Sequence, residues 1–183
     1  GVLTLSGNDA SVVLAEGVHG NEAAFVAEMN IAAKKLGMTN TRFGNPNGWP
    51  DGGKTYSTAR DLATLAQAII LEHPKAFERY FSQESFRWAN VTQANRNPLL
   101  GAIEGADGLK TGHSEAAGYC LAGTAKRGDR RLIMVIAGLP TMQSRVAEAR
   151  KFMNWGFSEW ETRSLFRKGE TVTKAPVQMG AFD

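Results

Sequence analysis

Cysteine is nearly missing from this chain. Its one thiol, Cys120, excludes an internal disulfide but leaves the compartment open. Histidine is almost as scarce, at three residues, and no His/Cys/Asp grouping has the spacing of a metal site. Long apolar runs are lacking too. The longest, LIMVIAGL at 132–139, is too short to cross a bilayer. No block of one charge exists. The net charge is only +3, with Lys and Arg scattered, so nucleic acid is not an expected partner. No glycine pattern follows a strand as a nucleotide site requires, and there is neither an internal repeat nor a low-complexity tract. What is present is ordinary for a globular chain: 183 residues, 43% hydrophobic and 21% charged, enough for one good core.

The front two-thirds reads helical. DASVVLAEG (9–17) predicts a short helix closed by its glycine. Asn21 caps a second helix, with Phe25, Met29, Ala32, Ala33 and Leu36 at helical spacing and Gly37 as the stop. Residues 39–56 hold four Gly, two Pro and three Asn and predict a loop. A third helix starts at Thr58, with Asp61 completing a capping box, and ends before Pro74. The back third changes period. AGYCLAG and RRLIMVIAGL, joined by KRGD, predict a β-hairpin, and LKTGH a shorter strand before it. Residues 143–160 predict a last amphipathic helix with Val146, Phe152, Met153 and Trp155 as its apolar members. This order of elements predicts an α+β fold, an antiparallel sheet covered by helices. Trp88, Trp155 and Trp160 read as core or interdomain packing, Cys120 as a small buried side chain, and His19 and His73 as surface positions.

The chemistry concentrates in DGLKTGHSEAAGY (107–119). A strand carrying Lys110, Thr111 and Gly112 can wall a cleft. The glycine leaves room for a substrate backbone along the strand edge, the lysine supplies a fixed charge, and the threonine hydroxyl can bind a carboxylate oxygen. The backbone N–H of His113 stands where an oxyanion donor is useful. A lone KTG triplet is a cheap match, and a surface strand with a solvated lysine is the plainer account. The chain, however, opens with Ser6-Gly7-Asn8 before a helix. Such a serine commonly does no more than cap the helix. Ser-x-Asn followed by Lys-Thr-Gly, in this order, is the pairing of penicillin-binding proteins and class A β-lactamases.

With SGNDASVVLAE, FVAEMNIAAKKLGMTNTRFGNPNG, YSTARDLATLAQAII, NRNPLL, DGLKTGHSEAAGY and AEARKFMNWGF in order, the chain resembles the serine-type D-alanyl-D-alanine carboxypeptidases, the low-molecular-mass penicillin-binding proteins, over about residues 1–160. The resemblance implies a β-lactamase/transpeptidase-like fold with a helical subdomain, present in part, followed at 161–183 by a linker and the start of a β-rich second domain. It implies removal of the terminal D-alanine from peptidoglycan stem peptides ending in D-Ala-D-Ala, through an acyl-enzyme that β-lactam antibiotics also form. It implies a periplasmic or other extracytoplasmic location, and no cofactor or metal.

The nucleophile of that family lies in a Ser-x-x-Lys turn upstream of Ser-x-Asn. These 183 residues contain no Ser-x-x-Lys. The nearest approach is Ser57-Thr58-Ala59-Arg60, at a helix start. The expectation is therefore that the catalytic serine and its lysine precede Gly1, in an N-terminal segment of the same protein. By resemblance, Ser6 relays protons, Asn8 binds the substrate amide, and Lys110 sets the electrostatics. Thr111 binds the terminal carboxylate, Gly112 gives it room, and the His113 N–H completes the oxyanion hole. Arg96 and Arg145 supply the cations a free carboxylate needs. Where the family often has His-Gly-Leu, this chain has Asn47-Gly48-Trp49, which bears on substrate preference. A β-lactamase on the same scaffold, or a non-catalytic peptidoglycan-binding module, are the alternatives.

Overall fold

The computed structural model describes residues 1–161 and 163–174. A three-stranded antiparallel sheet organises the chain, built from β3 (Ala106–Ser114), β4 (Gly118–Arg127) and β5 (Arg130–Leu139) in the order β3-β4-β5. Helix α6 (Met142–Ser158) covers one face. Helices α4 (Ala59–Glu72) and α5 (Pro74–Phe81) cover the other. Ahead of them stand α1 (Val2–Leu5), α2 (Asn8–His19) and α3 (Glu22–Lys35), with α2 and α3 packed as a pair. This is the α+β arrangement that the sequence pattern predicts.

Two-residue alternation sorts the sheet's side chains between two cores. Leu121, Ala125, Leu132, Met134 and Ile136 face α6, where Leu99, Ala149 and Met153 complete the cluster. Ala122 and Ile133, offset by one, face the other way and join Leu109, Ala66 and Phe77. Helix α6 therefore buries Arg145, Ala149 and Met153, one residue per turn. The expected apolar members Phe152 and Trp155 lie on its exposed side instead, stacked on each other at 5.6 Å. Gly123 marks how tightly this layer is filled. A Cβ there would stand 2.6 Å from Leu99 Cδ1, and Leu99 is fully buried.

Several local expectations need correction. The first long helix does not stop at Gly17; it runs to His19, and Gly20 ends it in the left-handed region with its N–H on Glu16 O at 2.7 Å. Thr58 does cap α4 by accepting from Asp61 N. Asp61 does not close the box, because its carboxylate serves the preceding loop: Oδ2 accepts from Asn40 N at 2.9 Å and Thr41 Oγ1 at 2.8 Å. Pro74 ends one helix and begins another, standing at N1 of α5, where its missing N–H costs nothing. The LKTGH strand is longer than expected, nine residues. A hairpin the sequence did not announce, β1 (Ser85–Trp88) with β2 (Val91–Ala94), turns through Ala89 and Asn90, both at positive φ. Trp88 sits 75% exposed beside that turn, and Trp155 and Trp160 are exposed as well, so none is core. Cys120 is half-buried, not buried; His19 and His73 are at the surface. Residues 163–174 carry no strand, and the rest of the expected second-domain start, 175–183, lies outside the described residues.

Candidate active site

Two halves of the chain meet at one point. The single turn of α1 ends at Ser6, whose φ of +59° is uncommon for a residue with a Cβ. That conformation reverses the chain into α2. Ser6 is the C-cap of α1, its N–H on Val2 O, while the N-cap of α2 falls to Gly7, so the Ser6 side chain is not spent on capping α2. Its hydroxyl faces β3, where the Lys110 ammonium donates to it across 104 residues of sequence. Lys110 Nζ also donates to the Thr111 carbonyl at 2.6 Å.

The remaining candidates surround this contact. Arg96 follows β2, its N–H bonded to Thr4 O at 3.3 Å, which seats it beside α1. Arg145 projects from the first turn of α6 and is only 6% exposed. A cleft of about 900 Å³ is lined by Ser6, Asn8, Arg96, Lys110, Thr111, Gly112, His113 and Arg145. The structure thus brings together all eight residues that the sequence singled out. Asn8, the first residue of α2, and the His113 ring are exposed to the cleft, and the ring lies 4.0 Å from that of Tyr119. A Cβ on Gly112 would meet nothing nearer than Cys120 Cβ at 3.8 Å. Packing therefore does not require glycine there; its bareness leaves the outer edge of β3 open along the cleft.

Positive charge dominates the interior. Burial pushes the Lys110 ammonium down to about 8, and the charges of Arg96 and Arg145 push the same way. Burial likewise lowers the Arg145 guanidinium; Tyr119 and Cys120 oppose that shift, and Arg96 adds to it. Arg145 Nε has no hydrogen-bond partner. Both ion pairs among the described residues lie elsewhere, Arg127 with Glu104 and Arg131 with Asp107. Three cations gathered in a cleft without a carboxylate partner form a prebuilt receptor for an anion. Beside it, a serine hydroxyl that accepts from a lysine whose proton burial has loosened can pass protons.

The cleft has further walls. Pro46 to Pro50 form one side, with Asn47, Gly48 and Trp49, the loop that the resemblance tied to substrate preference, among them. There Asn45 and Asn47 side chains accept from the N–H groups of Gly48 and Trp49, and the Trp49 indole is 62% exposed. Tyr119, Met142, Ser11 and Glu115 also line it. Tyr119 was findable: it pairs with His113 across the two strands, a register the hairpin implies. Met142 and Ser11 carry no signal of their own in sequence. Among the described residues no three His, Cys, Asp or Glu side chains group as a metal site. Among the same residues no helix is long and apolar enough to cross a membrane.

Comparison with known proteins covers the same ground. The profile of a family described as D-alanyl-D-alanine carboxypeptidase matches residues 1–141. The chain is 40% identical over 182 residues to D-alanyl-D-alanine carboxypeptidase DacA of Haemophilus influenzae, spanning 98% of this chain and 46% of that one. It therefore spans about half the length of such curated relatives. Among solved structures it is similar to penicillin binding protein 5 from Haemophilus influenzae, with a TM-score of 0.81 and 41% identity over 86% of this chain and 46% of that one. It is also similar to penicillin-binding protein D2 from Listeria monocytogenes in its cefotaxime-bound form, with a TM-score of 0.78 and 39% identity over 86% and 64% of the two chains.

Proposed function

The chain belongs to the D-alanyl-D-alanine carboxypeptidase family, with its β-lactamase-like fold, and from that premise we propose that its cleft serves a serine-type D-Ala-D-Ala carboxypeptidase. The reaction is acyl transfer. A serine oxygen attacks the carbonyl between the two D-alanines, the terminal D-alanine leaves as an amine that takes up a proton, and water then cleaves the acyl ester. Residues 1–160 supply the central and C-terminal part of the catalytic domain. The attacking serine and its Ser-x-x-Lys lysine come from sequence outside these 183 residues. Residues 161–183 lead into a further β-rich domain.

The observation that carries this reading is the Lys110–Ser6 contact inside a cleft of unpaired cations. Lys110 donates to Ser6 Oγ, so the Ser6 proton is free to point away, toward the departing amine. Arg145, Arg96 and the Thr111 hydroxyl hold the free α-carboxylate that separates a carboxypeptidase substrate from an internal peptide bond. Asn8 binds the amide carbonyl on the acyl side. The open edge at Gly112 lets the substrate backbone lie along β3, and the His113 N–H donates to the developing oxyanion. β-Lactams present a carboxylate and a strained amide at the same spacing and acylate the same serine. Because the substrate is peptidoglycan, the protein works on the outer side of the cytoplasmic membrane.

The test uses the full-length protein that contains this chain. Labelled benzylpenicillin is expected to form a covalent adduct, and Nα,Nε-diacetyl-L-Lys-D-Ala-D-Ala to release D-alanine. Absence of both overturns the proposal. Fast release of hydrolysed penicillin without D-alanine release would make it a β-lactamase instead.

A further inference from the structure

The charge of the cleft is not uniform along its length. Its cations gather around Lys110 and Thr111. Of all the residues lining it, only Glu115 is acidic. Glu115 also lines an adjoining groove of about 290 Å³ that runs between the turn after β3 and Gly138–Pro140, and there too it is the only acid. Among the described residues it joins no ion pair and no side-chain hydrogen bond is made to its carboxylate. Its backbone, in contrast, is held firmly. Ser114 Oγ accepts from Ala117 N at 3.1 Å, and Ala117 O accepts from Gly138 N at 3.0 Å. A fixed turn thus presents one unpaired, exposed carboxylate in the lining of a cationic cleft.

Distance gives this carboxylate a ligand. Glu115 is four residues past Thr111, at most about 13 Å at some 3.3 Å per residue. A peptide lying along β3 with its terminal carboxylate at Thr111 covers about 7 Å from its last residue to its third-last. A side chain several bonds long on that third-last residue spans the remainder. The geometry points to Glu115 as a specificity-determining residue that binds a free ammonium group on the residue preceding D-Ala-D-Ala. The preferred substrate is then a peptide with a diamino acid at that position whose side-chain amine is unacylated. Opposite charge at the two ends also fixes orientation, because an ammonium placed among Lys110, Arg96 and Arg145 is repelled. This inference rests on the carboxypeptidase reading and sharpens its substrate class.

The experiment compares two peptides on the full-length protein: Nα-acetyl-L-Lys-D-Ala-D-Ala, with a free amine, and its Nα,Nε-diacetyl form. The wild type is expected to favour the free amine, with the ratio of kcat/KM values at low salt about fivefold above that of Glu115→Gln, the scale of a partly exposed ion pair. Glu115→Asp should keep most of the preference, and Glu115→Lys should invert it. An unchanged ratio in Glu115→Gln and Glu115→Lys overturns the inference, as does an equal loss on both peptides, which would mark the residue as part of the turn. Benzylpenicillin labelling in the same variants separates the two readings: labelling with an unchanged ratio sinks the amine site alone, whereas no labelling and no D-alanine release from the wild type sink the enzyme reading beneath it.

Discussion

Arg145 shows how one residue trades stability for function. It is buried, carries its charge with Nε unpartnered, and sits 5.6 Å over the Tyr119 ring, a weaker partner than a carboxylate. A buried charge without a counter-ion opposes folding, and the missing partner is supplied only when an anion enters. Arg145→Met is therefore expected to raise Tm while lowering kcat/KM on D-Ala-D-Ala peptides at least tenfold, since a charge-assisted hydrogen bond contributes about 1.5–3 kcal/mol. Calorimetry beside a D-alanine release assay checks both halves. A variant that loses Tm as well would show that Arg145 is primarily a packing residue.

Lys110 makes a related statement about pH. Its pKa is lowered from the ordinary 10.5 to about 8, by burial first and by Arg96 and Arg145 next. Between those two values the unfolded chain binds more protons than the folded one, so stability rises with pH across that window. Below about 8 the buried ammonium is charged in both states and its full cost is felt. Lys110→Met should accordingly stabilise at pH 7, and the gain should shrink above pH 10, as read by urea midpoints at the two pH values. On the activity side, loss of the Lys110 proton sets an alkaline limb near pH 8. Removing a neighbouring charge with Arg96→Gln should move that limb upward in a kcat profile.

Elements carry the next lesson, beginning with the join between β4 and the loop ahead of β3. Leu99 fills the space that a side chain at position 123 would occupy, so Gly123→Ala is expected to destabilise by about 1–3 kcal/mol through overpacking. Trimming Leu99 to Val in the same chain should return part of that loss, as chemical denaturation will show. Asp61→Asn should loosen residues 39–41 from α4, at about 1–3 kcal/mol for disturbing a buried acceptor with two donors.

What could be read from sequence divides along the same physical line. Elements with strong period or strong caps were legible: Asn21 does accept from Ala24 N, and the Arg127–Arg130 turn joins the predicted strands. Ser6, Asn8 and Lys110 to His113 were singled out through motif order, which depends on chemistry rather than on packing, whereas Arg96 and Arg145 came only from the family resemblance. The hairpin at 85–94 was not legible, because nearly every side chain in it is exposed and no inward-outward alternation marks it. Its turn uses Ala-Asn where Asn-Gly would have announced itself. Helix α5 was hidden because Pro74 serves as both stop and start. On α6 the error came from counting large apolar residues. The face that packs is set by Arg145, Ala149 and Met153; the bulky Phe152 lies at the edge of it and Trp155 more than a quarter-turn away, and both are exposed.

At the scale of the whole molecule, a modest net charge of +3 understates the local field. Cations converge on one cleft while the acids lie elsewhere, apart from Glu115. Capture of an anionic peptide should slow as ionic strength rises from 20 to 200 mM, on the order of a Debye length shrinking from about 20 to 7 Å, and a C-terminally amidated peptide should show little such dependence. Stopped-flow association with a fluorescent peptide distinguishes the two.

The meeting of Ser6 with Lys110 spans most of the fold. Neither partner has a local reason to find the other: a one-turn helix and a strand edge become neighbours only after the intervening helices, hairpin and sheet are seated. On the carboxypeptidase reading, antibiotic capture by the full-length protein is expected to work as an all-or-nothing reporter of maturation. Along a denaturant series the fluorescent penicillin band should vanish while much of the helical circular dichroism persists, because early-forming segments keep their shape after the pincer they support has come apart.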